Sequence, residues 1–97
     1  MKIIWSQLAL SRIKEIARYI AQDKPKAADK WVDRIFGKVE ILSQFPEMGR
    51  QVPEINNTNV RELIYGNYRI IYRYDKNKIF ILTVRHGQQI LPIDEIN

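Results

Sequence analysis

The apolar residues of this chain change their spacing near its middle, and that change most constrains the fold. From Leu8 to Leu42 they recur every three or four residues, as they do along one face of an α-helix. From Val60 onward they alternate with polar residues or form short β-branched runs, as they do in β-strands. Helical segments followed by strand segments predict an α+β fold in which the helices cover one face of a sheet.

Two helices are predicted in the first half of the chain. A β-branched run at 2–5 predicts a short strand, and Ser6 is suited to cap a helix over 7–22. Pro25 is suited to the first position of a second helix, which ends before Pro46. Because few residues separate the two helices, we expect them to form an antiparallel hairpin.

The second half is predicted to be a loop followed by three strands. The segment 46–59 holds two Pro, one Gly and three Asn, which is typical of a loop. The strands are predicted at 60–65, 68–74 and 79–85, and short turns between them favour an antiparallel meander. The predicted order is β-α-α-β-β-β, with the helical hairpin packed on a twisted antiparallel sheet. The tail 88–97 is either a last short strand or a loose end.

Length and composition limit the class of protein. Ninety-seven residues predict a single domain, 1–97, because half of this chain could not bury a useful core. The absence of Cys excludes a disulfide scaffold, a thiolate nucleophile and a zinc ribbon. With a single His we expect neither a metal site nor a cofactor. No apolar run approaches the ~20 residues of a membrane span, so we predict a cytoplasmic protein without membrane contact.

Four of the basic residues are arginines of the predicted strands. The chain has 16 Lys or Arg against 11 Asp or Glu, an excess that favours an acidic partner without choosing among nucleic acid, protein and ribosome. Arginine binds carboxylate or phosphate through two parallel hydrogen bonds, so the strand arginines are candidate contact residues. They are equally well explained as surface positions that discourage edge pairing. The four are Arg61, Arg69, Arg73 and Arg85.

The strand 68–74 alternates between two kinds of side chain. Tyr68 and Tyr72 share one face, which we expect to be core or a partner contact. Arg69 and Arg73 share the other face, which we expect to be open to solvent, because two arginines are costly to bury without partners.

Several short segments stand out by their residues and their order. They are Trp5-Ser6, Asp23-x-Pro25-x-Ala27-Ala28, Phe45-Pro46, Gly49-Arg50, Arg61-Glu62-Leu63, Tyr68-Arg69-Ile70-Ile71-Tyr72-Arg73 and Val84-Arg85-His86-Gly87. Together they resemble the RelE/ParE superfamily of toxins from type II toxin–antitoxin modules, and they resemble the ParE branch most closely.

The resemblance implies a fold and a set of partners. The implied fold is two N-terminal helices packed on a twisted antiparallel sheet, as derived above. An antitoxin encoded beside the toxin blocks its activity, and the complex binds promoter DNA through the antitoxin. RelE-like members cut mRNA on the ribosome by attack of a ribose 2′-hydroxyl on the adjacent phosphate. ParE-like members poison DNA gyrase and cleave nothing themselves.

A nuclease of this kind would need a base, a cation for the phosphate and an acid. Arg69 matches the phosphate-binding strand arginine of the RelE branch, and Arg73 could add charge beside it. Glu62 is the carboxylate in the strands that could act as base, although it could instead pair with an arginine on a neighbouring strand. His86 has an ordinary pKa suited to acid–base work, and a structural role at a strand end is the alternative.

The nuclease pattern is incomplete in this chain. RelE-like nucleases carry a Tyr near the chain end, whereas no Tyr follows Tyr74 here. Arg85 and His86 also point to opposite faces of a strand unless a bulge intervenes. The sequence therefore favours a ParE-like gyrase poison, with an mRNA endonuclease and an inactive antitoxin-binding module as alternatives. The candidate residues for contact with the target or the antitoxin are Arg61, Arg69, Arg73, Arg85 and Tyr72.

Overall fold

A computed structural model describes residues 1–87 and 91–95 as two helices and a five-stranded sheet. In chain order the elements are β1 (Lys2–Trp5), α1 (Gln7–Ala21), α2 (Pro25–Ile41), β2 (Arg50–Gln51), β3 (Val60–Tyr65), β4 (Tyr68–Asp75) and β5 (Lys78–His86). A single 3₁₀ turn follows at Ile93–Glu95. Residues 88–90 and 96–97, part of the tail whose order was left open above, lie outside the described residues.

The sheet confirms the predicted fold and adds two features to it. Its strand order is β1-β5-β4-β3-β2, in which β2, β3, β4 and β5 pair antiparallel. β1 pairs parallel with β5, so the sheet is mixed. The chain leaves β1 through the helices, re-enters the sheet at its far edge and returns through the meander, which brings β5 beside β1 in the same direction. β2 lies inside the predicted loop and is two residues long, too short to show a period.

The helices begin where the sequence places their caps. The Ser6 hydroxyl accepts a hydrogen bond from the Ala9 N–H at 2.9 Å, and Pro25 opens α2. One face of the sheet, here called the helix face, packs against α1 and α2 and forms the main apolar core. That core contains Ile13, Trp31, Ile35, Leu42, Ile70, Tyr72, Ile79, Ile81 and Val84. No helix within 1–87 or 91–95 is long and apolar enough to cross a membrane.

The opposite side of the sheet, here called the distal face, is covered only in part. Ile71 is fully buried there beside Val52 from the loop and Leu91 from the tail. The loop that follows β2 and the residue Leu91 therefore cover the middle of the distal face. Ile71, which lies between Arg69 and Arg73 on this face, is therefore beneath the loop and the tail.

We expect Tyr72→Phe to destabilise the protein by about 1–3 kcal/mol, because it leaves buried backbone groups without partners. The Tyr72 hydroxyl accepts from the Gly49 N–H at 2.9 Å and donates to the Pro46 carbonyl at 2.7 Å. Tyr74→Phe is the matched control, since its hydroxyl makes one exposed bond of 3.2 Å to Glu47. Urea unfolding measures both variants, and equal losses would contradict this role of Tyr72.

Candidate functional site

The distal face holds a network of two arginines and two carboxylates, in which Arg69 and Glu62 are buried and Arg50 and Glu54 are exposed. The Arg69 side chain is 7% exposed and the Glu62 side chain is 0% exposed. Arg69 Nε donates to Glu62 Oε1 at 2.6 Å, and its two terminal nitrogens donate to the Glu54 carboxylate at 2.8 and 2.9 Å. Glu62 accepts a second bond at Oε2, from Arg50 Nε at 2.6 Å. The expectation that Arg69 faces solvent is therefore wrong, because two carboxylates compensate its burial.

This network fixes both the charge and the direction of Arg69. The hydrogen bonds that Arg69 donates to Glu54 and Glu62 raise its pKa above the usual range, so it stays a cation. Each of its three nitrogens already donates to a carboxylate. Every pair of adjacent donors on this guanidinium includes at least one that is bound to Glu54 or Glu62, so a phosphate could bind Arg69 through two parallel hydrogen bonds only by displacing a carboxylate.

Arg85 belongs to a second network, which ties the tail to the sheet. Glu95 Oε2 accepts from Arg85 at 2.8 Å and from Arg12 of α1 at 2.9 Å. Glu95 Oε1 accepts from the Thr83 hydroxyl at 2.8 Å. The Arg85 side chain is 16% exposed, so most of this predicted contact residue lies beneath the tail.

A bulge in β5 decides which face Arg85 occupies. Opposite Ile71 and Tyr72 the register passes from Thr83 to Ile81, so Leu82 is an extra residue in the strand. Strict alternation would have put Ile81 and Arg85 on one face. With the bulge, Arg85 lies opposite Arg69 in the register, on the distal face.

The remaining predicted contact residues lie in different places. Arg73 reaches over the Phe80 ring, 4.6 Å from its centroid, on the distal face. Arg61 is opposite Tyr72 in the register and donates to the Gly49 carbonyl at 2.9 Å. Tyr72 is fully buried in the main core. Burial leaves Tyr72 without surface for a partner, so the five predicted residues do not form one patch.

The nuclease candidates come together only in part. Arg69 and His86 line one cleft of about 350 Å³ at the end of the sheet, and Arg50 and Glu54 line it too. Glu62 does not line this cleft, and its carboxylate is bound by Arg50 and Arg69. Across 1–87 and 91–95, no group of three or more His, Asp or Glu residues is placed to hold a metal ion.

The sequence analysis named Glu62 but missed one carboxylate in each network. Glu54 lies in the predicted loop and Glu95 in the tail, where no periodicity marks a contact. One signal in the sequence could have indicated these carboxylates. Two arginines lie on one face of a predicted strand, and a buried cation requires an acidic partner.

We expect the protein to lose stability in acid through these two carboxylates. Hydrogen bonds from Arg69 hold the pKa of Glu54 below its usual range. Burial raises the pKa of Glu95, but hydrogen bonds from Thr83 and Arg12 outweigh burial and leave it lowered. A carboxylate whose pKa is lowered by folding stabilises the protein above its unfolded-state value, about 4.3 for Glu, and this contribution is lost as the pH falls through the folded-state pKa.

Urea unfolding between about pH 6 and pH 3 measures this loss. The double variant Glu54→Gln and Glu95→Gln should have a smaller drop in unfolding free energy over that interval than the unaltered chain. An equally steep drop in the variant would assign the acid sensitivity to other groups.

Comparisons with known proteins agree on the family. A model described as the ParE toxin of the type II toxin–antitoxin system parDE matches residues 3–91. Toxin Y4kP of Sinorhizobium fredii is 40% identical over 93 residues, which are 94% of this chain and 93% of that protein. Toxin RelE2 of Caulobacter vibrioides is 28% identical over 90 residues, or 92% of this chain and 98% of that protein.

Two solved structures share the fold. A chromosomal ParDE toxin–antitoxin system from P. aeruginosa matches with a TM-score of 0.75 at 23% identity, covering 91% of this chain and 97% of that one. The toxin–antitoxin complex RelBE2 from Mycobacterium tuberculosis matches with a TM-score of 0.55 at 21% identity, covering 88% and 95%. With the family model spanning almost the whole chain, this protein belongs to the ParE toxin family of type II toxin–antitoxin systems, within the RelE/ParE superfamily.

Proposed function

We propose that this toxin stops growth by poisoning DNA gyrase through protein contact, in the cytoplasm, and that a cognate antitoxin neutralises it. One observation carries the choice of gyrase over RNA. Arg69, the strand arginine that an RNA-cutting relative would direct at phosphate, has every nitrogen bonded to Glu54 or Glu62.

Catalysis of RNA cleavage depends on donors that are free to meet the charge developing on phosphate. Arg69 and Arg85 instead neutralise carboxylates of the same chain. Glu62 is a poor candidate for a base, because it is fully buried and accepts bonds from two arginines. A toxin that acts by contact needs only an accessible surface, so these internal ion pairs do not impair it.

We propose that the antitoxin binds along the helices and the free edge of β3. The two-residue strand β2 covers β3 only at Arg61 and Glu62. Among the described residues, the backbone of 63–65 therefore forms an edge of the sheet. Ile64 on this edge is 44% exposed, and Ile41 at the end of α2 is 46% exposed. An extended antitoxin segment could add a strand there and bury these apolar side chains. Promoter DNA would then be bound through the antitoxin.

The proposal predicts the outcome of assays with purified gyrase and supercoiled DNA. We expect the toxin to inhibit supercoiling and to trap a covalent gyrase–DNA cleavage complex, and we expect pre-mixed antitoxin to abolish both effects. Co-expression with the neighbouring gene product should restore growth and yield a copurifying complex. Normal supercoiling with no trapped complex, at toxin concentrations that stop growth, would refute gyrase as the target.

A second candidate function is ribosome-dependent cleavage of mRNA, favoured by the cleft that Arg69 and His86 share. It would require Glu54 to leave Arg69 on the ribosome. Primer extension on translated mRNA tests this function, and His86→Gln should then abolish cutting. An inactive module that only binds antitoxin is the third alternative, and it predicts no growth arrest when the chain is expressed alone.

A further inference from the structure

The two segments that cover the distal face share one chemical pattern. The loop places Val52 on Ile71 and, two residues later, binds Arg69 through Glu54. Its contact therefore consists of one apolar side chain and one carboxylate, which meet an apolar sheet residue and a strand arginine.

The tail repeats this pattern on the neighbouring strand. Leu91 packs on the same apolar cluster, and Glu95 four residues later binds Arg85. The spacing between apolar residue and carboxylate differs between loop and tail, but the chemistry is the same. Each covering segment satisfies one of the three arginines that β4 and β5 present on this face.

The third arginine, Arg73, lies beside an apolar pair that no described segment covers. Ile4, Phe80 and Arg73 are neighbours in register across β1, β5 and β4. All three are half-buried, and neither Ile4 nor Phe80 belongs to either apolar cluster. Among residues 1–87 and 91–95, no carboxylate forms an ion pair with Arg73.

Further positive charge borders this open part of the face. Lys2 lies directly opposite Lys78 in the register, although like charges in that position are destabilising. Asp75 is opposite Lys78 on the other side but forms no ion pair with it among the described residues. Protection of an edge strand accounts for Lys2, whereas Arg73 lies on the interior strand β4 and needs another explanation.

We propose that Ile4, Phe80 and Arg73, with Lys2 and Lys78, form a docking site for an acidic segment of a partner protein. That segment would place an apolar side chain on Ile4 and Phe80 and a carboxylate two to four residues away on Arg73, as the loop and the tail do on their own arginines. The site is separate from the proposed antitoxin contact on β3, and its test does not depend on gyrase.

Nucleic acid fits this surface less well than an acidic segment does. Its centre is the apolar pair, and the Phe80 ring already has Arg73 over it, so a base stacked on that ring would have to displace the guanidinium. A phosphate backbone would meet the cations and leave the apolar pair unused. An acidic segment with an apolar residue uses both.

The probe is a blocked peptide with the sequence of residues 91–95, LPIDE, added to the isotope-labelled full chain and followed by amide NMR shifts. We expect shifts at Ile4, Arg73 and Phe80 that saturate below about 1 mM. The peptide LPINQ, which lacks both carboxylates, should bind about tenfold more weakly. Arg73→Gln should lower the affinity for the LPIDE peptide about fivefold to tenfold. Lys26→Gln, which removes an exposed charge on α2, should change that affinity less than about twofold.

Several results would overturn the proposal. Shifts confined to Thr83 and Arg85 would mean that the peptide only competes with the tail. Equal weakening by Arg73→Gln and Lys26→Gln would mean attraction by net charge alone. A thymidine oligonucleotide that displaces the peptide from these residues and binds more tightly would make the site a nucleic-acid surface, and the absence of shifts would mean that there is no site.

Discussion

Replacing Arg69 by Met should lower the free energy of unfolding by about 3–5 kcal/mol, the loss typical when one member of a buried ion pair is removed. The variant keeps Glu62, whose side chain is 0% exposed, and removes its buried partner, leaving the bond from Arg50, whose side chain is 62% exposed. Glu54 is 43% exposed and can turn toward water, so Glu62 accounts for most of the loss. Urea unfolding of the full chain measures the effect.

Two further variants separate this cause from loss of charge or volume. Arg73→Met is the matched control, since Arg73 lies on the same strand and face and forms no ion pair among the described residues, and it should change stability by less than about 1 kcal/mol. The double variant Arg69→Met with Glu62→Leu removes both buried charges and should recover most of the loss. If Arg69→Met lowers the unfolding free energy by less than about 1 kcal/mol, the Arg69–Glu62 pair contributes no more than a surface ion pair does, and its structural role is contradicted.

Replacing Gly49 by Ala should cost about 3 kcal/mol, because the added methyl group overlaps atoms that cannot move independently. A Cβ at this position would lie 2.6 Å from the Glu62 carbonyl oxygen and 2.7 Å from the Tyr72 hydroxyl. The carbonyl belongs to β3, and the hydroxyl is fixed by its bonds to Pro46 and Gly49. Relief of the overlap must therefore shift the backbone entering β2.

Gly37→Ala is the control for this substitution. No atom lies within 4 Å of the position of its Cβ, and Gly37 is inside α2. The change should stabilise the protein by about 0.5–1 kcal/mol, since Ala is the better helix former. If both glycine variants shift the urea midpoint in the same direction, steric overlap at Gly49 is not the dominant effect.

The order of elements could be predicted because each one repeats its signal over several residues. The stripe of α2, from Ala28 through Ile35 to Val39, and the alternation of β4 are long enough to set both type and boundary. The cap at Ser6 and the opening proline of α2 fixed where the helices begin.

The site could not be predicted in full because it depends on single residues far apart in sequence. One extra residue, Leu82, moves Arg85 to the distal face, and no pattern in a β-branched run marks such a bulge. Arg69 was expected at the surface because its partner Glu54 lies in a loop. The parallel pairing of β1 with β5 likewise depends on where the chain re-enters the sheet.

These findings bear on how the strand arginines of this family are interpreted. An arginine at the position of Arg69 can bind phosphate through two parallel hydrogen bonds only if two adjacent donors are free, and here bonds to Glu54 and Glu62 use at least one donor of each adjacent pair. Among the three arginines that β4 and β5 present on the distal face, Arg73, four residues further along β4, is the one that forms no ion pair with a described residue.

Poisoning of gyrase by protein contact can be measured by titrating purified toxin into gyrase and supercoiled DNA and quantifying the DNA that is linear after protein digestion. We expect linear DNA that rises with toxin and disappears with antitoxin, together with intact mRNA in a translation reaction at the same toxin concentration. Unchanged gyrase activity together with mRNA cut on the ribosome would contradict the proposal.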